Sequence, residues 1–262
     1  MRRWTWSLLA LLSLSALGVP AIAQQPSVSS IGVEGTEFVV ALSDGRTLRS
    51  KDLIGAVLDV RFEGQPAKVR IVEVERDPDD KSGTVWLHTM EQRAPDGAWS
   101  NLCTAGPDKR RQGFPLMVNG ALEFTCSSGA LGKCVRFGYR PWATAPDGTP
   151  LAPMHSACVH MVRGDYGGDG QPWTRDGMLI DIFDQHGIQT ADDKPDLAFE
   201  AGWTPDDAVC VHHVRVKENT TLQELEEKYP QLRGRTGAIC TEAFARSLGA
   251  IVLNRSASLI IT

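Results

Sequence analysis

All six cysteines of this 262-residue chain lie after residue 102, behind an N-terminal segment that has the features of an export signal. Arg2 and Arg3 precede an apolar run, and Ala21-Ile22-Ala23 supplies the small-x-small pattern that a signal peptidase recognises before Gln24. We therefore expect residues 1–23 to be a cleaved signal peptide and the mature protein to be secreted or periplasmic.

An even number of cysteines in an exported chain predicts disulfides, because no reducing pool keeps thiols free outside the cytosol. Three bridges are the expectation, and the sequence does not choose among their possible pairings. Cysteine is too sparse here for a disulfide scaffold, so the bridges should supplement a hydrophobic core. The six disulfide candidates are Cys103, Cys126, Cys134, Cys158, Cys210 and Cys240.

Composition excludes several classes of protein. Apolar residues make up 42% and charged residues 23% of the chain, as is typical of a globular protein. The formal net charge is −5, and loss of Arg2 and Arg3 with the signal would lower it to −7. No basic run stands out, so we expect no nucleic-acid partner. After the signal, no stretch approaches the roughly 20 apolar residues of a membrane-spanning helix.

The pattern of apolar residues divides the chain near residue 102. Residues 24–102 show the alternation of short strands, with turn signals at Asp44-Gly45 and Asp96-Gly97. An antiparallel β-rich region, either a small barrel or a sandwich, is expected there. One apolar face is formed by alternate residues of a single strand, namely Ala56, Leu58, Val60 and Phe62.

Residues 103–262 mix helical and strand periodicities, which predicts an α+β fold for the whole chain. Ser127 or Ser128 is expected to cap a helix, and Thr221 with Glu224 forms a capping box at the start of another. A third helix is expected where apolar residues recur on one helical face, at Met154, Cys158, Met161 and Val162.

Three stretches of the C-terminal half share glycine, aromatic and cysteine positions with one known family. They are residues 129–142, residues 155–177 and residues 199–210. Together they resemble the bacterial ADYC domain, a family named for a four-residue motif and without an assigned function. The resemblance covers the C-terminal half well and the N-terminal half loosely.

The chain departs from that family at the naming motif. Gly164-Asp165-Tyr166-Gly167 stands where the family has Ala-Asp-Tyr-Cys. The family also tends to carry a cysteine before the proline equivalent to Pro230, and here Tyr229 stands there. The resemblance implies that these two family cysteines bridge one another and that this chain has lost the bridge as a unit. We therefore expect Gly167 and Tyr229 to lie within bridging distance.

The acidic loop that follows the motif suggests two alternative functions. Asp165, Asp169 and Asp176 match positions 1, 5 and 12 of a calcium-binding loop, although position 3 is Gly167 and no helix is expected to follow. A calcium-stabilised domain is one alternative. The other is a hydrolase with a carboxylate and histidine centre, formed from four residues: Asp165, Asp169, Asp181 and His155.

Two further groups of residues suggest a metal or nucleophile site and a binding surface. His155, Cys158 and His160 suggest a zinc or thiol-nucleophile site, but export favours a bridged Cys158. Aromatic rings in glycine- and proline-rich segments suggest a glycan- or peptide-binding surface, although core packing is the commoner fate of such residues. These aromatics are Tyr139, Trp142, Trp173 and Trp203.

No nucleophile elbow, phosphate-binding glycine loop or zinc-protease motif occurs in the sequence. We therefore expect a non-catalytic binding or structural module that needs no cofactor. An envelope protein or a glycan is the expected kind of ligand.

Overall fold

The computed structural model of the chain describes residues 26–62, 65–118, 120–192 and 196–257. They form three antiparallel sheets with a few short helices, which confirms the predicted α+β class. The expected signal peptide, residues 1–23, lies outside the described residues.

The N-terminal part of the chain forms two sheets. The first has the order β1-β2-β3, and in the second the strands run β4-β5-β6-β8-β9 with β7 paired to β6. The strands are β1 (Val28–Glu34), β2 (Glu37–Leu42), β3 (Thr47–Arg49), β4 (Val57–Phe62), β5 (Gln65–Arg76), β6 (Trp86–Arg93), β7 (Trp99–Asn101), β8 (Gly113–Val118) and β9 (Ala121–Cys126). A short 3-10 turn over Ser50–Leu53 joins the two sheets.

These two sheets pack face to face as a sandwich. Phe38 and Val40 of β2 are buried against Val69 and Ile71 of β5 and Met90 of β6. Leu58 and Val60 of β4 and Ala56 just before it lie against the same core, as the sequence predicted, because successive side chains of a strand point to opposite faces. The side chain of Phe62, the fourth residue of the predicted face, lies outside the described part of the structure.

The second sheet continues well past residue 102, since β8 and β9 follow it in the chain. A bridge between Cys103 and Cys126 joins the start of this extension to its end, with 5.6 Å between the Cα atoms. Side chains of the next helix also pack on the sheet, where Val135 joins a buried cluster with Leu87 and Phe114. One buried cluster therefore joins α1 to the second sheet.

The C-terminal part forms the third sheet, in the order β10-β13-β11-β12, with helices around it. Its elements are α1 (Ala130–Arg136), α2 (Ala152–Arg163), β10 (Ile180–Asp184), β11 (Ala198–Trp203), β12 (Ala208–Val211), α3 (Leu222–Lys228), α4 (Glu242–Ser247) and β13 (Val252–Ser256), with 3-10 turns over Pro230–Leu232 and Gly237–Ile239. Within the described ranges no helix has both the length and the apolar character needed to cross a membrane.

Two of the three predicted helices have the feature on which their prediction rested. The apolar face of α2 is confirmed, and Thr221 caps α3 by accepting a hydrogen bond from the Glu224 N–H at 3.2 Å. The predicted serine cap of α1 is wrong. Gly129 holds the N-cap position without a side-chain bond, and the Ser128 hydroxyl donates instead to the Thr104 carbonyl at 3.4 Å.

The three predicted disulfides are confirmed, and no described cysteine is free. Besides the bridge already described, Cys134–Cys158 ties α1 to α2, and Cys210–Cys240 ties β12 to the segment before α4. The two cysteines are 24 residues apart in the first of these bridges and 30 residues apart in the second.

A fully buried ion pair lies at the centre of the C-terminal part. Arg215 Nε and Nη2 each donate to one carboxylate oxygen of Glu200 at 2.9 Å, and both side chains are 0% exposed. Burial alone would raise the pKa of Glu200, but the guanidinium lowers that pKa below its ordinary value. The pair is thus charged on both sides in the folded protein.

The remaining polar atoms of this pair also have partners. Arg215 Nη2 donates to the Met161 carbonyl at 2.8 Å, which ties the pair to α2. Tyr166 donates its hydroxyl proton to Glu200 Oε1 at 3.0 Å and stacks on Trp203. Because a buried charge is stable only when its hydrogen bonds are satisfied, this network fixes how α2, β11 and the segment after β12 fit together.

We expect Glu200→Gln to lower the free energy of unfolding by about 3 kcal/mol or more, because it leaves the Arg215 charge buried without a counter-charge. Urea denaturation of the oxidised protein measures the change. The matched control is Asp59→Asn, which removes an exposed ion pair with Lys68 and should cost less than about 1 kcal/mol. Equal losses in the two variants would contradict a special role for the buried pair.

Candidate functional site

The motif at residues 164–167 forms the turn that ends α2. Gly164 has a φ of 59°, in the left-handed region that favours glycine, and its N–H donates to the last carbonyls of the helix. This turn sends the next two side chains, Asp165 and Tyr166, into the interior, where both are buried. Tyr166 belongs to the ion-pair network, whereas Asp165 faces a histidine.

Asp165 orients the imidazole of His160. Asp165 Oδ2 accepts hydrogen bonds from His160 Nδ1 at 3.0 Å and from the Gly170 N–H at 2.9 Å. Because a carboxylate accepts, Nδ1 carries the proton of this hydrogen bond, and in the neutral imidazole the lone pair is on Nε2. Asp165 Oδ1 is buried and has no hydrogen-bond partner among the described residues.

The His160 ring lies between two adjoining clefts of about 420 and 530 Å³, which also share Leu131 and Val159 as walls. Ser156, one helical turn before His160, lines the first of them. Burial raises the pKa of Asp207, whose carboxyl interacts electrostatically with His160. A carboxylate-oriented imidazole with one open nitrogen can transfer a proton. We call these two spaces the His160 clefts.

The four residues of the predicted hydrolase centre do not hydrogen-bond to one another. His155 Nε2 bonds the Leu131 carbonyl at 3.2 Å, and burial lowers the pKa of this histidine. Asp181 accepts the Asp192 N–H at 3.0 Å. The residue that contacts Asp165 is His160, so the structure pairs the motif carboxylate with a different histidine from the one in the predicted centre.

The three predicted calcium ligands also have separate surroundings. Asp165 faces His160, as described, and Asp169 accepts the Tyr229 hydroxyl at 3.1 Å beside the Lys228 ammonium. Asp176 is exposed in another cleft. Across the described ranges, no group of three or more histidine, cysteine, aspartate or glutamate side chains is arranged to hold a metal ion.

Cys158 has no free thiol for the suggested zinc or nucleophile site, because it forms a disulfide with Cys134. Of the four aromatics, Tyr139 and Trp203 are completely buried in the C-terminal core. Trp142 is 40% exposed, and Trp173 is half-buried beneath the Lys228 ammonium. Trp142 and Trp173 therefore keep part of their surface open to solvent.

A spacious cleft lies in the N-terminal sandwich and has a volume of about 940 Å³. Ten of its fifteen described lining residues have aliphatic, aromatic or thioether side chains. Ile31, Val57 and Leu122 line it and are 51%, 50% and 40% exposed. We call this space the apolar cleft. Spacing along the sequence did not predict this cleft, because it opens between strands that are far apart in the chain.

Tyr229 lies directly against Gly167. A Cβ atom added to Gly167 would be only 2.0 Å from Cε1 of the Tyr229 ring, so the ring fills the space of a side chain at position 167. The two positions at which the resemblance implies a lost bridge are therefore in contact.

Comparison with known proteins identifies the family. The model of the ADYC domain matches residues 50–217, which is more than half of the chain and includes strands β4–β9 as well as the C-terminal motif. The chain therefore belongs to the ADYC domain family. No curated protein and no solved structure matches it.

We expect the double variant Gly167→Cys with Tyr229→Cys to form a fourth disulfide, because the two positions touch and residue 167 does not require a left-handed backbone. Thiol titration of the denatured, unreduced protein should find no free cysteine. The bridge should offset the loss of the tyrosine ring, since closing a long loop contributes about 2–4 kcal/mol.

The single variant Gly167→Cys is the control. Its side chain overlaps the tyrosine ring, so it should be less stable than the parent and should carry one free thiol. Two free thiols in the double variant after oxidative refolding would show that these positions are not in bridging geometry.

Proposed function

We propose that this protein is an exported, non-catalytic binding module of the periplasm or cell exterior that holds a small apolar ligand in the apolar cleft. Export is supported by the signal-like residues 1–23 and by the pairing of all six cysteines. Both features are expected of a chain that matures outside the cytosol.

The observation that carries this proposal is the size and chemistry of the apolar cleft. Its volume of about 940 Å³ is comparable to that of small-molecule sites in proteins. Its walls are mostly apolar, and Asp59, Arg61 and Glu123 provide charged groups within the lining. Such a lining stabilises a ligand through burial of apolar surface.

An apolar ligand fits these walls better than a glycan. Recognition of a sugar requires many hydrogen-bonding side chains together with an exposed ring, and the cleft offers one aromatic pair, Phe38 and Phe124, inside an aliphatic surface. The partly exposed Trp142 and Trp173 do not line this cleft. Glycan or envelope-protein binding is the competing outcome of the experiment below.

We expect the neutral apolar probe N-phenyl-1-naphthylamine to bind with increased fluorescence. The triple variant Ile31→Asn, Val57→Asn and Leu122→Asn should weaken that binding at least tenfold, because it removes apolar surface from the wall at a cost of more than about 1.4 kcal/mol. The three side chains are partly exposed, so the fold should be retained, as circular dichroism can verify.

The control for this variant is Val72→Asn, which changes a side chain that is 42% exposed on β5 and does not line the cleft. It should leave probe binding unchanged. Equal binding by the triple variant, or glycan binding that depends on Trp142 instead, would contradict the proposal.

The second candidate function is a hydrolase, favoured by the orientation of His160 by Asp165 at the wall of an open cleft. In this mechanism His160 Nε2 takes a proton from a water molecule that attacks an ester or amide carbonyl. The proton then passes to the leaving group as the bond to it breaks.

A panel of nitrophenyl esters and chromogenic amides tests this candidate. If the protein is a hydrolase, His160→Gln should reduce turnover at least a hundredfold, whereas His186→Gln, at a histidine outside these clefts, should not. Turnover that is absent, or equal in parent and variant, would remove the hydrolase candidate and leave the binding module in place.

A further inference from the structure

A further cleft, of about 420 Å³, lies between α1, α2 and the segment that leads into β10. It shares no lining residue with the apolar cleft, and it adjoins the larger His160 cleft, with which it shares Ala130 and Arg163. Three cationic side chains line it, namely Lys133 of α1, Arg163 of α2 and Arg175 of the following segment. We call this space the basic cleft.

The charge of the basic cleft is unusual for this protein. The chain carries 32 acidic and 27 basic side chains, and many described arginines bind a carboxylate, among them Arg49, Arg136 and Arg215. None of the three cations of the basic cleft forms an ion pair with a described residue. Asp176 is the one acidic residue in the described lining. The cleft therefore has an excess of positive charge that the described part of the protein does not neutralise.

The other walls of the basic cleft are apolar. Phe137 follows directly after α1, Val162 belongs to α2, and Ile180 and Ile182 come from β10. Leu179 also lines the cleft and is 55% exposed. Cationic and apolar groups thus line one open cleft, which suits a ligand that has both characters.

The cationic residues stand on rigid supports. The Cys134–Cys158 bridge joins α1 to α2, directly beside Lys133. The residue before Arg175 is held by a hydrogen bond to the buried ion pair. Thr174 Oγ1 accepts this bond from Arg215 Nη1 at 3.2 Å. Groups held in place before binding lose little entropy when the ligand arrives.

We propose that the basic cleft binds an organic anion that carries an apolar group. The arginines and the lysine would hold a carboxylate or phosphate head, and the walls from Phe137, Val162 and β10 would cover the apolar part. This site is separate from the apolar cleft and does not depend on its function.

Isothermal titration with laurate below its micelle concentration tests the proposal. The starting protein is the Ile31→Asn, Val57→Asn, Leu122→Asn variant, so that binding in the apolar cleft does not contribute. Adding Lys133→Gln and Arg175→Gln should raise the laurate Kd at least tenfold. Both side chains lie outside the buried core, so the fold should persist.

The charge-matched control is Lys81→Gln with Lys217→Gln, which removes two exposed cations that do not line the cleft. It should leave the Kd unchanged. Acetate should bind at least tenfold more weakly than laurate, and dodecyltrimethylammonium should not bind.

Three results would overturn the proposal. They are an absence of laurate binding at millimolar concentration, a laurate Kd that the two cleft substitutions do not change, and equal binding of the dodecyl cation. Equal binding of acetate would show that the apolar walls do not take part, and it would overturn the amphiphile class proposed for the ligand.

Discussion

The arrangement of the C-terminal part depends on the buried ion pair between Arg215 and Glu200. Two unit charges in the interior are costly unless every donor and acceptor is satisfied, so the elements around them have little freedom to shift. Arg215 meets this requirement by bonding the end of α2, the hydroxyl of Thr174 and the carboxylate on β11. Asn254 of β13 completes the set by donating to Glu200 at 2.8 Å.

This network also places the candidate sites. Tyr166 is drawn into the interior by its bond to Glu200, and the preceding residue, Asp165, is thereby set against His160. The bond from Arg215 to Thr174 also holds the segment that lines the basic cleft. One buried interaction thus positions both the turn that ends α2 and the segment that follows it.

Local sequence patterns predicted the elements well and the sites less well. Residue spacing predicted the inward face of α2 and the capping box of α3, and both are confirmed. The even number of cysteines, with the export expected from the sequence, predicted that every cysteine is bridged, and this is also confirmed. The start of α1 was missed because Ser128 bonds a carbonyl that is distant in the sequence. The partner of Asp165 was missed for a similar reason, since a turn of unknown shape decides which histidine it meets. Clefts between sheets involve residues too far apart for any spacing rule.

The contact between Tyr229 and Gly167 makes the two positions depend on each other. A Cβ at 167 would lie 2.0 Å from the tyrosine ring as it stands, so a larger residue at 167 displaces the ring, and a smaller residue at 229 leaves a void beside the glycine. The substitutions that one position tolerates are therefore set by its neighbour. This packing joins the turn after α2 to the end of α3 in a form that a reductant cannot open.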